Sequence, residues 1–336
     1  DYCQQTILET PSDMMIIADN VYLATTNNGV HILEYTTSSS SGTVSVSVDS
    51  QTDWSTQNFL SSDQITDLEV VGNHLLIATY EAGINRRDLS SQSWIATWST
   101  NNWLASNQVH GLSLTTGWLH ILAGTTVHSY DTRTLIFQSQ NQLSTLGLYQ
   151  NGVTAIPWPA HPGRGPTSST SLFSDGSGIL AMQIAENSAG TLTLVSSPSL
   201  DGMEVVASID DDESGEIWVA GGTIIDRFDA LSQSWLNPID ISDYITNPGQ
   251  IVAIEQDGNN KVWIGTTNAG VLRLQNTDAT YIGNVGGLSS SDASSLAYDE
   301  INAYLVVGHS QSGISIINFC SFTISGSISL FSIRLS

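Results

Sequence analysis

Lysine is nearly missing from this 336-residue chain: Lys261 is the only one, and eight basic residues face 32 acidic ones. A formal net charge of −24 argues against nucleic acid and against an anionic membrane surface, because both need clustered Lys and Arg. Charge of either sign is scarce, at 12% of residues, about half the usual quarter, and Ser, Thr, Asn and Gln take its place. No apolar run approaches the roughly 20 residues of a membrane-spanning helix. No Asn-X-Ser/Thr acceptor for N-glycosylation occurs. The chain opens on Asp1 without a Met or a visible signal peptide, which reads as a processed mature protein or an excerpt. Apolar residues make up 40%, with nine Trp, ten Tyr and seven Phe, enough for a sizeable core.

Internal repetition decides the fold class. VWIGTTNAGVLRL (Val262 to Leu274) aligns without gaps with LLIATYEAGINRR (Leu75 to Arg87) and VYLATTNNGVHIL (Val21 to Leu33). The same frame fits SLFSDGSGILAM from Ser171 and YLVVGHSQSGISII from Tyr304, and two copies with a shortened turn begin at Leu119 and Ile217. The equivalent positions Gly29, Gly83, Thr126, Gly178, Ile224, Gly270 and Gly313 recur about every 47 residues, the length of a four-stranded propeller blade. Each unit has an apolar inner strand such as ITDLEVV (Ile65 to Val71), a hairpin, a second strand, a Gly-bearing turn and an outer strand opened by an aromatic residue. The links QNFLSSDQI and NNWLASNQV repeat as well. The expectation is an all-β, seven-bladed propeller over residues 1–320. Its blades fall near 12–54, 64–100, 108–140, 152–197, 204–237, 250–283 and 293–320, the last completed by 2–8.

The pattern N-x-L-S-S-x-x-I followed by W-I-G-T-x-x-x-G-h-x-R-h-D resembles the two-component regulator propeller repeat, found in extracytoplasmic sensor domains and other secreted propellers. The resemblance covers nearly the whole chain, is strongest in blades two, five and six, and departs most in blade four. It implies the fold and an extracytoplasmic setting.

Closing such a ring requires the last blade to meet the first. Tyr2 to Leu8 falls where a preceding blade's outer strand belongs, which would pair it with Ile314 to Phe319 and bring Cys3 beside Cys320. A Cys3–Cys320 disulfide would close nearly the whole chain, for which the loop-entropy model gives about 5 kcal/mol, and it suits an oxidising compartment. Residues 321–336 then form a β-strand tail without a partner, with Phe322, Ile324, Ile328, Leu330, Phe331, Ile333 and Leu335 as its apolar positions. Strand addition to a second copy would satisfy it. The tail as blade seven's own outer strand, or as the start of a further domain, stays open.

Chemistry-bearing constellations are sparse. No two of the seven His have metal-motif spacing on a common element, and no G-x-S-x-G elbow occurs. No cofactor is expected; Asp210, Asp212 and Glu216 form a weak candidate Ca²⁺ site, with a solvated acidic turn as the plainer reading. Asp13 and Asp67 recur at one inner-strand position, where they could line the channel mouth. Arg86, Arg227 and Arg273 share a repeat position and are expected to pair with acidic groups between blades. Contact candidates are Phe59 and Trp103 on the blade-link face, and Trp158, His161 and Arg164 in a Pro-rich hairpin. The leading expectation is a non-catalytic extracellular or cell-surface propeller that contacts other proteins, copies of itself included. A sensor-type propeller binding a glycan or peptide, and a propeller lyase or glycosidase, remain as alternatives.

Overall fold

The computed structural model describes residues 11–18, 20–40, 43–115, 117–134, 136–142, 154–156, 169–174, 179–185, 192–196, 198–200, 207–211, 216–229, 232, 234–257, 261–274, 282–284, 288, 290–299, 303–310, 313–318 and 330–333. They form antiparallel sheets that follow one another along the chain. The first contains β1 (Pro11–Ile17), β2 (Asn20–Thr25), β3 (Val30–Ser40) and β4 (Thr43–Trp54). The second contains β5 (Ile65–Val71), β6 (His74–Thr79), β7 (Gly83–Asp88) and β8 (Trp94–Trp98). Next come β9 (Val109–Thr115), β10 (Trp118–Ala123), β11 (Thr126–Asp131) and β12 (Ile136–Gln142). A further sheet is made of β13 (Thr154–Ile156), β14 (Ser169–Ser174), β15 (Ile179–Ala185) and β16 (Leu192–Ser196). β17 (Ala207–Asp211), β18 (Glu216–Gly221), β19 (Ile224–Asp229), β20 (Ser234–Trp235) and β21 (Ile239–Asp240) follow. The last two sheets are β22 (Ile251–Gln256), β23 (Val262–Thr266), β24 (Val271–Leu274) and β25 (Ile282–Asn284), then β26 (Ser295–Asp299), β27 (Tyr304–His309), β28 (Gly313–Asn318) and β29 (Leu330–Ile333).

The expectation of seven four-stranded blades needs correction. Six sheets have that form; the sheet from β17 to β21 has five strands, because β21 adds beside the two-residue β20 on the edge of β19. A single short strand cannot cover the edge of β19, and Ile239, 4% exposed, brings the second piece down onto the core.

Second strands are buried almost throughout: β2 and β6 are interior at every position after the first, and so is β18. Sheets covered on both faces give continuous apolar strands instead of alternation, the feature of VYLAT, LLIAT and IWVAG. The turns after them are fixed by side-chain chemistry. The hydroxyls of Thr25, Thr79 and Thr266 donate to the carbonyls of Gly29, Gly83 and Gly270 at 2.8–2.9 Å. Each accepts the N–H of Asn28, Ala82 or Ala269 at 3.0 Å. The glycines hold φ of +79°, +86° and +69°, where a side chain would be strained.

The inner strands make the ring: β1 contacts β5, β5 contacts β9, and so on through β13, β17, β22 and β26, which returns to β1. Cores lie between neighbouring sheets, and the one closing the circle joins Met14, Leu23 and Leu33 to Tyr304, Val306 and Ile316. The closure differs from expectation. The free edge of β28 is taken by β29, with Ile314 opposite Ile333 and Ile317 opposite Leu330, so it is not available to Tyr2–Leu8. One strand edge offers one row of donors and acceptors, and the nearer hairpin partner occupies it. Leu330, Phe331 and Ile333 thus have their backbone in the last sheet, not in an unpaired tail. Cys3, Cys320, Phe322, Ile324, Ile328 and Leu335 lie outside the described residues.

Candidate functional site

Among the described residues, polar or aromatic side chains come together in the link loops, on the inner strands, and around a cavity between the second and third sheets.

In the link loops, Phe59 N–H and Trp103 N–H donate to the carbonyls of Ser55 and Ser99 at 2.9 and 3.2 Å. The turns place both rings over the outer strand of the next sheet. Phe59 stacks on Trp94 with centroids 5.7 Å apart and stays 50% exposed. Trp103 lies 4.9 Å from Phe137 and 4.7 Å from Trp98. Trp103 is therefore a packing residue of the blade junction, and of the pair only Phe59 offers an open ring face. Trp158, His161 and Arg164 lie outside the described residues, and so does Asp212.

On the inner strands, Asp13 and Asp67 do not stand free at the channel mouth. Asp13 Oδ2 accepts Leu68 N–H at 2.9 Å, and Asp67 Oδ2 accepts Leu112 N–H at 2.6 Å. Glu255 does the same for Tyr298 at 3.1 Å. Bulges at Pro11/Asp13 and Ile65/Asp67 free a residue on each strand and turn the carboxylate toward the next blade. Burial raises Asp13; burial and then the charge of Asp13 push Asp67 well above the usual range. Burial pushes Glu69 up to about 7. These carboxyls stitch blades together.

The buried histidines are likewise structural. His128 Nε2 accepts Ala105 N–H at 3.0 Å, which fixes a neutral ring, and burial pushes its pKa down to about 4. His120, down to about 3 for the same reason, sits 2.9 Å from the hydroxyl of Ser129. Of the candidate Ca²⁺ site, Asp210 lies on β17 opposite Ile217, and Glu216 lies 3.6 Å from Arg227. No group of three or more His, Cys, Asp or Glu able to hold a metal occurs among the described residues.

The arginines of the shared repeat position behave differently from expectation. Arg227 finds its carboxylate within its own sheet, since Glu216 is on β18 and Arg227 on β19. Its guanidinium lies 5.6 Å from the ring of Trp218, and that of Arg273 lies 5.9 Å from Trp263. Arg86 lies 4.4 Å from Trp98 instead. Each of the three guanidiniums lies by an indole ring, and Arg227 has a carboxylate as well.

Beside Arg86 lies a half-open cavity of about 530 Å³ between the second and third sheets. Val71, Leu76 and Leu114 form its apolar walls, Trp98 and Tyr130 its aromatic ones, and His74 and Asn73 stand at the hairpin rim. Asp88 orders that rim, accepting from Asn73 Nδ2 at 3.0 Å and lying 3.7 Å from His74. Sequence reasoning missed this site. Its signal was a substitution between repeats: Leu76 occupies the position of Trp218 and Trp263.

No family model matches the chain, and no curated protein matches it in sequence. Solved structures do. The extracellular domain of a putative one-component system from B. thetaiotaomicron superposes with a TM-score of 0.69 at 14% identity, over 97% of this chain and 42% of that one. The extracellular domain of a putative hybrid two-component system from the same organism gives 0.63 at 17%, over 92% and 40%. A computationally designed protein gives 0.58 at 12%, over 94% and 86%. These likenesses define the chain as an all-β propeller of antiparallel blades. It spans about two fifths of the length of the two bacterial domains. No helix among the described residues is long and apolar enough to cross a membrane.

Proposed function

We propose that this chain is a ligand-recognition propeller working outside the cytoplasm, as a part of, or in the manner of, the extracellular portion of a bacterial sensor. In this reading the five-stranded sheet counts as a blade and the ring has seven. The likeness to extracellular domains of putative one- and two-component systems supports the setting. The cavity beside Arg86 carries the recognition. It falls within the roughly 300–1,000 Å³ of small-molecule sites, and it has apolar walls with few polar groups. Self-assembly through the tail loses its motive once Leu330–Ile333 pair with β28, so recognition moves ahead of assembly. Catalysis is not part of this reading, which assigns Asp13, Asp67 and Glu255 to hydrogen bonds between blades, His120 and His128 to the buried interior, and the His74–Asp88 pair to ordering the cavity rim.

A thermal-shift screen of small-molecule classes tests it. A ligand of the folded state raises the melting temperature in proportion to ln(1 + [L]/Kd), and Leu76→Trp, which refills the cavity, should remove that rise. A rise that survives Leu76→Trp places recognition elsewhere on the molecule.

A further inference from the structure

Three sheets set an arginine across from one residue of the preceding strand: Leu76 opposite Arg86, Trp218 opposite Arg227, and Trp263 opposite Arg273. In two of them an indole fills the space beside the guanidinium, and in one Glu216 also offsets the charge at 3.6 Å. The second sheet has Leu76 in place of the indole and His74 in place of the glutamate.

The smaller side chain leaves the cavity of about 530 Å³. The missing glutamate leaves a half-buried cation. Arg86 forms no salt bridge among the described residues, its Nε is buried without a hydrogen-bond partner, and Nη1 has only a 3.4 Å contact to the carbonyl of Ala96. Burial lowers its pKa, the mark of a charge short of solvation. With one guanidinium face against Trp98, Nε buried and Nη1 turned to the carbonyl of Ala96, Nη2 is the nitrogen left to take an anionic oxygen from the cavity.

We infer that the cavity between the second and third sheets binds a small organic carboxylate, its charged end on Nη2 of Arg86 and its compact apolar body against Leu76, Leu114 and Trp98. The inference rests on the recognition reading and names its ligand class. A phosphate monoester fits less well, since it would bring −1.5 to −2 charges to one cation. The net charge of −24 slows the approach of any anion, but at about 0.15 M salt charges beyond roughly 8 Å are largely screened. Tyr130, held protonated by a pKa that burial raises, lines the same cavity with a hydroxyl donor.

Isothermal titration calorimetry of the full chain with benzoate, benzamide and benzylammonium at pH 7 tests this. Benzoate should bind at least tenfold tighter than benzamide, and benzylammonium should not bind. Arg86→Met should bring benzoate down to the benzamide level, and Leu76→Trp should abolish both. Equal binding of benzoate and benzamide, lost in Leu76→Trp, overturns the carboxylate inference and leaves the recognition reading standing. Preferred binding of benzylammonium does the same. No binding of any of the three, or binding that survives both substitutions, overturns the inference and removes this cavity from the recognition reading.

Discussion

Gly83 and Gly72 both hold positive φ, +86° and +60°, yet they should tolerate a methyl group very differently. A Cβ on Gly83 would stand 2.0 Å from the carbonyl oxygen of Trp98, a backbone atom that cannot swing away, whereas one on Gly72 would meet nothing within 4 Å. Gly72→Ala then costs only the left-handed backbone penalty, about 1 kcal/mol. Gly83→Ala adds a collision and should cost about 2–3 kcal/mol by urea denaturation. At Glu69 the variable is pH. Its folded pKa of about 7 stands above an ordinary 4.5, so the folded state holds its proton more tightly. The stability this provides is complete below pH 4.5 and is lost as pH rises to about 7. His120 and His128, with lowered pKa values, act in the opposite sense, losing stability as pH falls below 6.5. The difference between wild type and Glu69→Gln isolates the carboxyl. Relative to Glu69→Gln, the wild type should lose stability from pH 4.5 to 7, measured by chemical denaturation across that window. A pH-independent difference would contradict the assignment.

At the scale of the element, the link loops are one device used twice. Asn58 Oδ1 accepts Ser55 N–H at 2.8 Å while its Nδ2 donates to the carbonyl of Asp53 at 2.9 Å. Asn102 repeats both bonds with Ser99 and Thr97 at the same distances. Asn58→Ala and Asn102→Ala should each cost about 1–2 kcal/mol. The two sites share no partner, so the double variant should show the sum of the single losses within about 0.5 kcal/mol by denaturant titration. Such devices were legible because they are local: Thr, Gly and Asn at fixed offsets recur wherever the same turn is made, and so the blades could be read. The cavity was not, because it arises by subtraction. Nothing in LLIAT announces a void; the void appears only when Arg86 and Tyr130, from different sheets, meet across the missing indole. The arginines were misread for a related reason. Counting acids predicts ion pairs between blades, but the strand register sets Trp218 and Trp263 directly across from Arg227 and Arg273.

For the whole molecule, the question is how the ring is held shut. Two terminal segments could take the edge of β28: residues 2–8 by their position one strand ahead of the first blade, and residues 322–330 by their alternation of apolar with polar side chains. Pairing chose the C-terminal one: β29 lies antiparallel to β28, and the faces of β26 and β27 pack on β1 and β2 through Tyr304, Val306, Met14 and Leu23. This reverses the sign of an experiment. Were the tail an assembly strand, shortening the chain to residue 320 would turn large species into monomers. With β29 covering β28, the same truncation uncovers a row of unpaired donors and acceptors along Gly313–Asn318, and an uncovered edge is a template for pairing with another chain. The shortened chain should therefore melt lower and sediment as larger species than the full chain at equal concentration. Adding a peptide of residues 321–336 in excess should return it toward the full-length sedimentation value, by the strand addition that sheet edges support. Large species seen only with the full chain would mean that Leu330–Ile333 serve a neighbour, and the closure drawn from β29 would fail.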